Sequence, residues 1–485
     1  MADTVSTQRK NWVVILGALI LSVGLMIANY GCAVSMASDL GAINAAQYYV
    51  LVSALGSLAM MLVLPIVGQL TGIFGMRNLI AIGIIVQCAG RILMMFSGSW
   101  IPYAAGYFIQ GLGGGCYTTA AYVIMAGAVS PRETPKFFGF ISVAISIGSM
   151  LGPVLVSTMS AAGGITAKLA YISHLPFAVI GYLMILKGCP NQRVPDAGKG
   201  FDYPGLVLSV IGLSGLVLWL NLGNKMFTWV SAPSIVLVVV AVVSLAIVIR
   251  REIKIKNPAI PLRMFKNKRL TYAFIGVMSN TVYSTCVASY TIMWVMYNYG
   301  SFPGATLFNG TASIMNHIMG LILGLFLGTY IGKKFIKRFR SFAILGSLAA
   351  IVATGMLFCL RYTGTAAEGN IAVIGNMPVG MILIYVACAI GGFSFTVANA
   401  TYTPFWQSNT PREQIPSGQA MYSFGGMLSS CFFGALVGLV MGNSGDYSIA
   451  FGTACILCVI GLIFAIIGFK FTPEEIAAAR SRDAQ

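Results

Sequence analysis

Very few side chains in this sequence could do proton or ion chemistry inside a long apolar stretch. Among Arg, Lys and His, only Arg91, His174 and His317 lie within such stretches. A histidine there could carry a proton or bind a solute near neutral pH, and an arginine could attract an anion. All twelve Asp and Glu lie in polar segments or at the edges of apolar stretches. Proton relays and cation sites within membranes use buried carboxylates. The lack of carboxylates inside the apolar stretches therefore argues against a proton relay and against a cation site.

The two histidines have different sequence contexts. His317 lies near the middle of an apolar stretch, beside Asn316. It is the strongest candidate for proton coupling or for a substrate contact, and the alternative is a neutral histidine hydrogen-bonded between helices. His174 lies two residues before Pro176, near the start of another stretch. That position favours a structural role at a helix end.

Composition indicates that these stretches lie in lipid. Hydrophobic residues make up 58% of the 485 residues and charged residues only 8%, whereas soluble domains carry about 25% charged residues. The net charge of +17 does not indicate nucleic-acid binding, because Lys and Arg occur in short runs between apolar stretches. The class predicted is an all-α integral membrane protein.

Fourteen stretches are long enough to span a bilayer, for which about 20 apolar residues are needed. Their predicted limits are 12–37, 46–69, 78–97, 101–128, 137–162, 169–187, 204–222, 229–249, 270–298, 302–330, 341–361, 377–406, 417–442 and 448–470.

The basic residues test this count. With the N-terminus inside and the spans alternating, 25 of the 29 Lys and Arg fall inside and three fall outside. Such a bias is the usual orientation signal of membrane proteins. It predicts a multi-pass protein with both termini in the cytoplasm.

The sequence contains no motif that supports nucleotide binding, metal or redox chemistry, or catalysis. No GxxxxGK[ST] phosphate-binding loop occurs, and Gly111, Gly113 and Gly115 imitate a dinucleotide motif inside an apolar span with no strand before it. Cys455 and Cys458 form a CxxC in the middle of a span, where metal or redox use is not expected. With two histidines and no internal acids, no catalytic constellation is available. We therefore expect no enzyme activity, no cofactor and no metal.

An internal repeat suggests the domain organisation. Segment 68–77 reads GQLTGIFGMR and segment 328–337 reads GTYIGKKFIK, each after a span and before a predicted inside turn. They are eight spans apart, which fits two six-helix bundles separated by two extra helices. Repeated halves around a central site are typical of secondary transporters. The predicted domains are an N-terminal bundle (1–187), a linker with two spans (188–256), and a C-terminal bundle with a short tail (257–485).

Several segments resemble those of the major facilitator superfamily, and more narrowly its fourteen-helix drug:proton antiporters. They are GQLTGIFGMR at 68–77, YFIQGLGGG at 107–115, GSMLGPVLVS at 148–157, SHLPF at 173–177, FDYPG at 201–205 and NPAIPLRMFKNKRL at 257–270. The resemblance covers essentially the whole chain. It implies the major facilitator fold and gating roles for Gly68, Gly75, Arg77, Gly152 and Pro153.

The departures from that family concern its coupling residues. Gly72 stands where the family has an acid, Tyr107 where its helix-four motif begins with arginine, and Leu25 near its helix-one aspartate. Val156 and Ser157 replace two glycines that end its helix-five motif. These differences argue against drug:proton antiport.

Polar neutral residues cluster on the spans that would line a cavity if the resemblance holds. Each of them could instead form a hydrogen bond between helices. As a set they predict a neutral, aromatic-rich substrate site with these members: Asn29, Tyr30, Tyr107, Gln110, Asn280, Tyr283, Asn316, His317, Asn399 and Tyr402.

Arg91 has two interpretations. It could attract an anionic solute, or its long side chain could snorkel to the outer head groups. Since the third span is peripheral in the family that this chain resembles, we favour snorkelling.

The predicted function is transport of a small organic solute by alternating access, with an organic anion or a neutral amphipathic compound favoured. Uniport, exchange and symport through His317 all stay open, as do the substrate's identity and the direction of transport. One alternative is a proton-coupled multidrug efflux pump. Another is a membrane sensor that binds without transporting. A bacterial inner membrane and a monomer fit the resemblance best.

Overall fold

The structure is a computed structural model that is almost entirely helical. It describes residues 11–45, 48–129, 133–191, 193, 202–223, 227–255, 258, 260–291, 294–295, 298, 315, 317–319, 322, 326, 340–364, 372–375, 377–410, 414–441 and 446–468.

Within the described part of the chain, nine helices precede residue 187, and we call them the N-terminal helices. They are α1 (Trp12–Ala42), α2 (Tyr49–Val63), α3 (Val67–Phe74), α4 (Met76–Met95), α5 (Trp100–Tyr117), α6 (Ala120–Ala128), α7 (Thr134–Ala161), α8 (Gly164–Leu169) and α9 (Leu175–Leu186). Short 3-10 turns at Leu64–Ile66 and Ala170–Ile172 link α2 to α3 and α8 to α9.

A central pair and a C-terminal set follow. The central pair is α10 (Tyr203–Leu222) and α11 (Ala232–Lys254). The C-terminal helices are α12 (Lys268–Thr285), α13 (Arg340–Tyr362), α14 (Val379–Ser408), α15 (Ile415–Met441) and α16 (Ser448–Gly468). A π-helical turn, Cys286–Thr291, extends α12, and strands β1 (Val373–Ile374) and β2 (Met377–Pro378) form a small antiparallel hairpin.

The helix starts follow from local chemistry. The Asp202 side chain accepts a hydrogen bond from the Gly205 amide at 3.0 Å and so caps α10, whose first turn carries Pro204. An acidic cap satisfies a free amide at the helix start, and proline there costs no hydrogen bond. Asn11 caps α1 and Asn267 caps α12 in the same way. At Gly75 the chain turns between α3 and α4 with φ of 78°, a conformation that favours glycine.

Ten of the described helical segments are long and apolar enough to cross a membrane. The segment Ala232–Lys254 has the highest mean hydropathy, 2.9, and the smallest buried share, 22%, as expected of a helix facing lipid. Helix α1 continues for five residues past position 37, where the predicted first span ends, and its candidate membrane segment is Trp12–Ala33. The predicted fourth span is broken between α5 and α6, and the predicted tenth, 302–330, lies mostly outside the described residues.

Small residues let the N-terminal helices approach closely. Helix α1 packs along α7 and α9, and α4 packs along α5. At the α1–α7 contact, a Cβ built on Gly148 would lie 2.5 Å from the Val23 carbonyl oxygen, and one on Gly152 would lie 3.0 Å from Ile27 Cα. In membranes such close contacts supply the dispersion energy that holds helices together. Helix α7 continues through Pro153.

The C-terminal helices pack around α12, which contacts α14, α15 and α16. Their core includes Tyr283, Leu357, Cys388 and Phe451, all fully buried. Helices α10 and α11 pack mainly on each other, and α10 also touches α2 and α15. The ion pair between Arg251 and Asp202, 2.8 Å long, joins the ends of this central pair.

The N-terminal and C-terminal helices meet at one end through small residues. Val67 and Leu79 pack against Ala420 of α15, and a Cβ on Gly68 would lie 2.6 Å from Ser417 Cα. The Gln69 side-chain amide donates a hydrogen bond to the Pro258 carbonyl nearby. We call the contact of Val67, Gly68, Ser417 and Ala420 the inner seam, because the sequence predicts that this end faces the cytoplasm.

The α1–α7 contact predicts a stability difference between two glycines. Gly148→Val should destabilise the protein by about 1–3 kcal/mol, since the added atoms overlap the α1 backbone. Gly355→Val is the matched control, because nothing lies within 4 Å of a Cβ at that helical position. Thermal unfolding in detergent measures both variants, and equal melting temperatures would contradict the packing described here.

Candidate functional site

Arg91 is buried at the centre of the N-terminal helices. It is 1% exposed, and its Nη1 donates to the Tyr171 carbonyl at 2.8 Å. Its Nη2 donates to Gln110 Oε1 at 3.2 Å and to the Ala28 carbonyl. The guanidinium thus ties α4 to α1, to α5 and to the turn before α9. The prediction that this side chain snorkels to the head groups was wrong, because backbone and amide oxygens inside the bundle supply its acceptors.

Arg91 also lines a cavity of about 300 Å³, which we call the Arg91 cavity. Its walls come from α1, α4, α7, α8 and the turn between α8 and α9. The lining residues are Cys32, Ser35, Asp39, Ala42, Arg91, Val156, Ser160, Ala167, Lys168, Ala170 and Tyr171. The volume lies at the lower end of the range for small-molecule pockets.

Asp39 is a wall residue that lies just past the predicted end of the first span at position 37. Because α1 extends to Ala42, Asp39 lies inside its last turns and accepts a hydrogen bond from the Tyr103 hydroxyl at 2.9 Å. The spacing of Cys32, Ser35 and Asp39 puts them on one face of a helix. If the first helix had been predicted to continue past position 37, this spacing would have indicated that the three residues line a common surface.

Tyr30 and His317 bring the N-terminal helices and the predicted tenth span together. Their rings meet edge to face, with centroids 5.3 Å apart and planes at 88°. His317 is 3% exposed and Tyr30 is half-buried. An edge-to-face pair is a favourable aromatic contact, so the two residues predicted for substrate binding lie side by side. Asn29 is half-buried next to Tyr30, and Asn316 lies outside the described residues.

Asn280 and Tyr402 share a second, much smaller space. A cavity of about 10 Å³ lies between α12, α13, α14 and α16, lined by Ser279, Asn280, Ser347, Ala350, Ala398, Tyr402 and Cys458. This volume is about that of a single water site. Asn280 Oδ1 also accepts a hydrogen bond from the Ser394 hydroxyl at 3.0 Å. The arrangement holds helices together and offers no room for an organic solute.

The other predicted binding residues take part in helix packing. Tyr107 fills the space above Gly56 of α2, and Tyr283 fills the space beside Gly391 of α14. Asn399 accepts a hydrogen bond from the Tyr422 hydroxyl at 3.4 Å, within the C-terminal helices. Gln110 binds Arg91 as described above. Among the residues that the structure describes, the predicted set is therefore divided among several places.

The predicted gating residues lie at two contacts. Asn191 Oδ1 accepts a hydrogen bond from the Arg77 amide at 3.2 Å and lies where a Cβ on Gly75 would be. Gly68 lies in the inner seam, and Gly152 and Pro153 lie on α7 where it packs against α1. Within the described part of the chain, no three His, Cys, Asp or Glu side chains come together in a way that could hold a metal.

The buried position of Arg91 predicts a large effect on stability. Arg91→Met should lower the free energy of unfolding by about 3 kcal/mol, since three buried oxygens lose a charged donor. Arg361→Met is the control, because Arg361 is exposed and rests on the rings of Phe358 and Tyr362. Thermal unfolding in detergent compares them. A snorkelling Arg91 would leave both variants as stable as the parent protein.

Comparisons with known proteins agree with the helical architecture. The structure resembles the human organic anion transporter MFSD10 (TETRAN), with a TM-score of 0.59, 14% identity and coverage of 95% of this chain and 100% of that one. It also resembles a bacterial homologue of the iron transporter ferroportin in an outward-facing state, with a TM-score of 0.60, 12% identity and coverage of 95% and 99%. At these identities the likeness shows the fold alone.

Curated relatives are similar over part of their length. The chain is 24% identical to an acurin A biosynthesis cluster MFS-type transporter of Aspergillus aculeatus, over 62% of this chain and 54% of that protein. It is 25% identical to the multidrug transporter protein MdtP of Bacillus subtilis, over 43% and 38%. It is 23% identical to multidrug resistance protein 3 of Bacillus subtilis, over 66% and 62%. The first two alignments span about half of those relatives or less.

A family model, described as the Major Facilitator Superfamily, matches residues 14–433. That match covers most of the chain and includes both the N-terminal helices and most of the C-terminal ones. The chain is a multi-pass membrane protein that belongs to the major facilitator superfamily.

Proposed function

We propose that this protein is a secondary transporter that moves a small organic solute across the membrane by alternating access. The observation that carries the proposal is that the N-terminal and C-terminal helices approach closely through the small residues Gly68, Ser417 and Ala420 of the inner seam and meet again at the Tyr30–His317 pair. Small residues permit close contact without interlocking side chains. Such a contact can open and close as two rigid halves rock, which is how repeated-half transporters work.

The same proposal includes the full architecture predicted from the sequence. Fourteen membrane helices form an N-terminal bundle (1–187), a linker with two spans (188–256) and a C-terminal bundle (257–485). Both termini lie in the cytoplasm, and the protein acts as a monomer in a bacterial inner membrane. The strong excess of Lys and Arg in the predicted inside segments supports this orientation.

The substrate class that we propose is an organic anion or a neutral amphipathic compound. The described carboxylates, Asp39, Glu133, Asp202, Glu252 and Asp446, each lie at or near a helix end. A lipophilic cation in the middle of the membrane would need a buried carboxylate to pair with, and no described residue supplies one there. We assign His317 and Tyr30 to the solute path, with His317 as the candidate proton carrier.

Multidrug efflux is the second candidate. It is favoured by the names of the relatives, among them MdtP and multidrug resistance protein 3 of Bacillus subtilis. Multidrug efflux by this protein would require that drug and proton movement be coupled through groups other than the mid-helix acids of drug:proton antiporters.

A ligand screen followed by uptake tests the proposal. Organic anions or neutral amphiphiles should raise the melting temperature of the purified protein, because a ligand at about 100 times its dissociation constant stabilises by roughly 2.7 kcal/mol. The same compounds should enter proteoliposomes that contain the protein. His317→Phe should reduce this uptake at least tenfold, because it keeps an aromatic ring beside Tyr30 but removes the polar nitrogens.

Ile318→Phe provides the control, because adjacent residues point about 100° apart around a helix. Its uptake should match that of the parent protein. If only lipophilic cations stabilise the protein and are transported, the anion assignment is wrong and multidrug efflux replaces it.

A further inference from the structure

The Arg91 cavity is separate from the contact between the two sets of helices. Its walls belong to α1, α4, α7, α8 and the turn Ala170–Ile172, all among the N-terminal helices. Residues of the C-terminal set do not occur among the lining residues that the structure describes. Whatever binds here need not lie on the path between the two halves.

The walls of this cavity carry more positive than negative charge. Arg91 and Lys168 are basic and Asp39 is acidic. Asp39 is hydrogen-bonded to the Tyr103 hydroxyl, and within the described part of the chain neither Arg91 nor Lys168 forms an ion pair. All the hydrogen-bond acceptors of Arg91 are neutral oxygens, and its Nε is buried without an acceptor among the described residues.

A buried guanidinium without a counter-ion is costly in a medium of low dielectric constant. The three carbonyl and amide oxygens reduce this cost but do not neutralise the charge. An anion in the cavity would do so, and Lys168, which also lines the cavity, would add to the attraction. Ser160 is exposed and lines the same cavity, where its hydroxyl could donate to the same anion.

The surroundings of Lys168 are apolar. Its ammonium group lies 5.4 Å from the centre of the Phe96 ring, and Ile165 and Leu169 beside it are 76% and 43% exposed. Charged groups next to exposed apolar side chains suit a molecule with an anionic head and a hydrocarbon tail. The volume of about 300 Å³ accommodates the head group and leaves the tail along α8.

We propose that the Arg91 cavity is a binding site for the head group of an amphipathic anion, held between Arg91 and Lys168. A free single-chain carboxylate and an anionic membrane lipid share this chemistry. The site does not rest on the proposed transport function, because it lies within one set of helices and excludes His317.

The test measures ligand-dependent melting temperatures of the full-length protein in a neutral detergent. The probes are decanoate, decanol and decyltrimethylammonium, which share a tail and differ in charge. Mixed micelles with phosphatidylglycerol or phosphatidylcholine represent the lipid source. Decanoate, phosphatidylglycerol or both should raise the melting temperature, and Lys168→Gln should reduce this shift. Any shift caused by the neutral or the cationic probe should be the same in Lys168→Gln as in the parent protein. Stabilisation by decanoate alone identifies a free carboxylate, and stabilisation by phosphatidylglycerol alone identifies a lipid head group.

Variants of exposed wall residues locate the binding without disturbing the Arg91 hydrogen bonds. Lys168→Gln should weaken the apparent affinity for the stabilising anion about tenfold, as expected for losing one partly screened charge. Ser160→Glu should weaken it further by repulsion, whereas Ser160→Gln should change it little. Arg361→Gln, which removes an exposed base elsewhere, should leave it unchanged.

The proposal is overturned if neither anion stabilises the protein, or if the shift is the same in Lys168→Gln and Ser160→Glu as in the parent protein. His317→Phe separates this site from the transport path. It should retain the anion-dependent shift even though it loses uptake.

Discussion

The structure depends on one constraint, that polar groups in a lipid environment must find partners inside the protein. Hydroxyl groups satisfy it locally, as when Ser22 donates to the Ala18 carbonyl at 2.9 Å and Thr354 to the Ala350 carbonyl at 2.8 Å. Arg91 satisfies it across helices by donating to oxygens from three other segments. Polar side chains engaged in this way are not available to a solute, so only the others can meet one.

This constraint explains which parts of the molecule were predictable from sequence. A long apolar stretch predicts a helix, because a backbone that spans the membrane must form its hydrogen bonds within itself. Stretches such as Ala232–Lys254 and Ser448–Gly468 were therefore predicted to within about five residues. The Asp202 cap of α10 lies in a segment recognisable by its FDYPG motif. The family resemblance drawn from such motifs is confirmed by the match over residues 14–433.

The site was less predictable, for a related reason. Backbone carbonyls accept the hydrogen bonds of Arg91, and a carbonyl leaves no signature in the sequence. Asp39 lies just past the predicted end of the first span because hydropathy falls before the helix ends. From the sequence alone, Tyr107 and Tyr283 could equally well pack between helices or bind a solute. In the structure their rings contact Gly56 and Gly391, so both take part in packing.

The central claim is that the two sets of helices separate at the inner seam while a solute crosses. A Cβ at Gly68 would lie 2.7 Å from Ser417 Cβ, so cysteines at both positions can reach the 3.5–4.5 Å range of a disulfide after a small adjustment. We would oxidise Gly68→Cys/Ser417→Cys in proteoliposomes and measure uptake of a solute that the parent protein transports. The account predicts that uptake by the double variant stops on cross-linking and returns on reduction, whereas the oxidant changes the uptake of neither single cysteine variant. Uptake that continues through the cross-linked protein would contradict it.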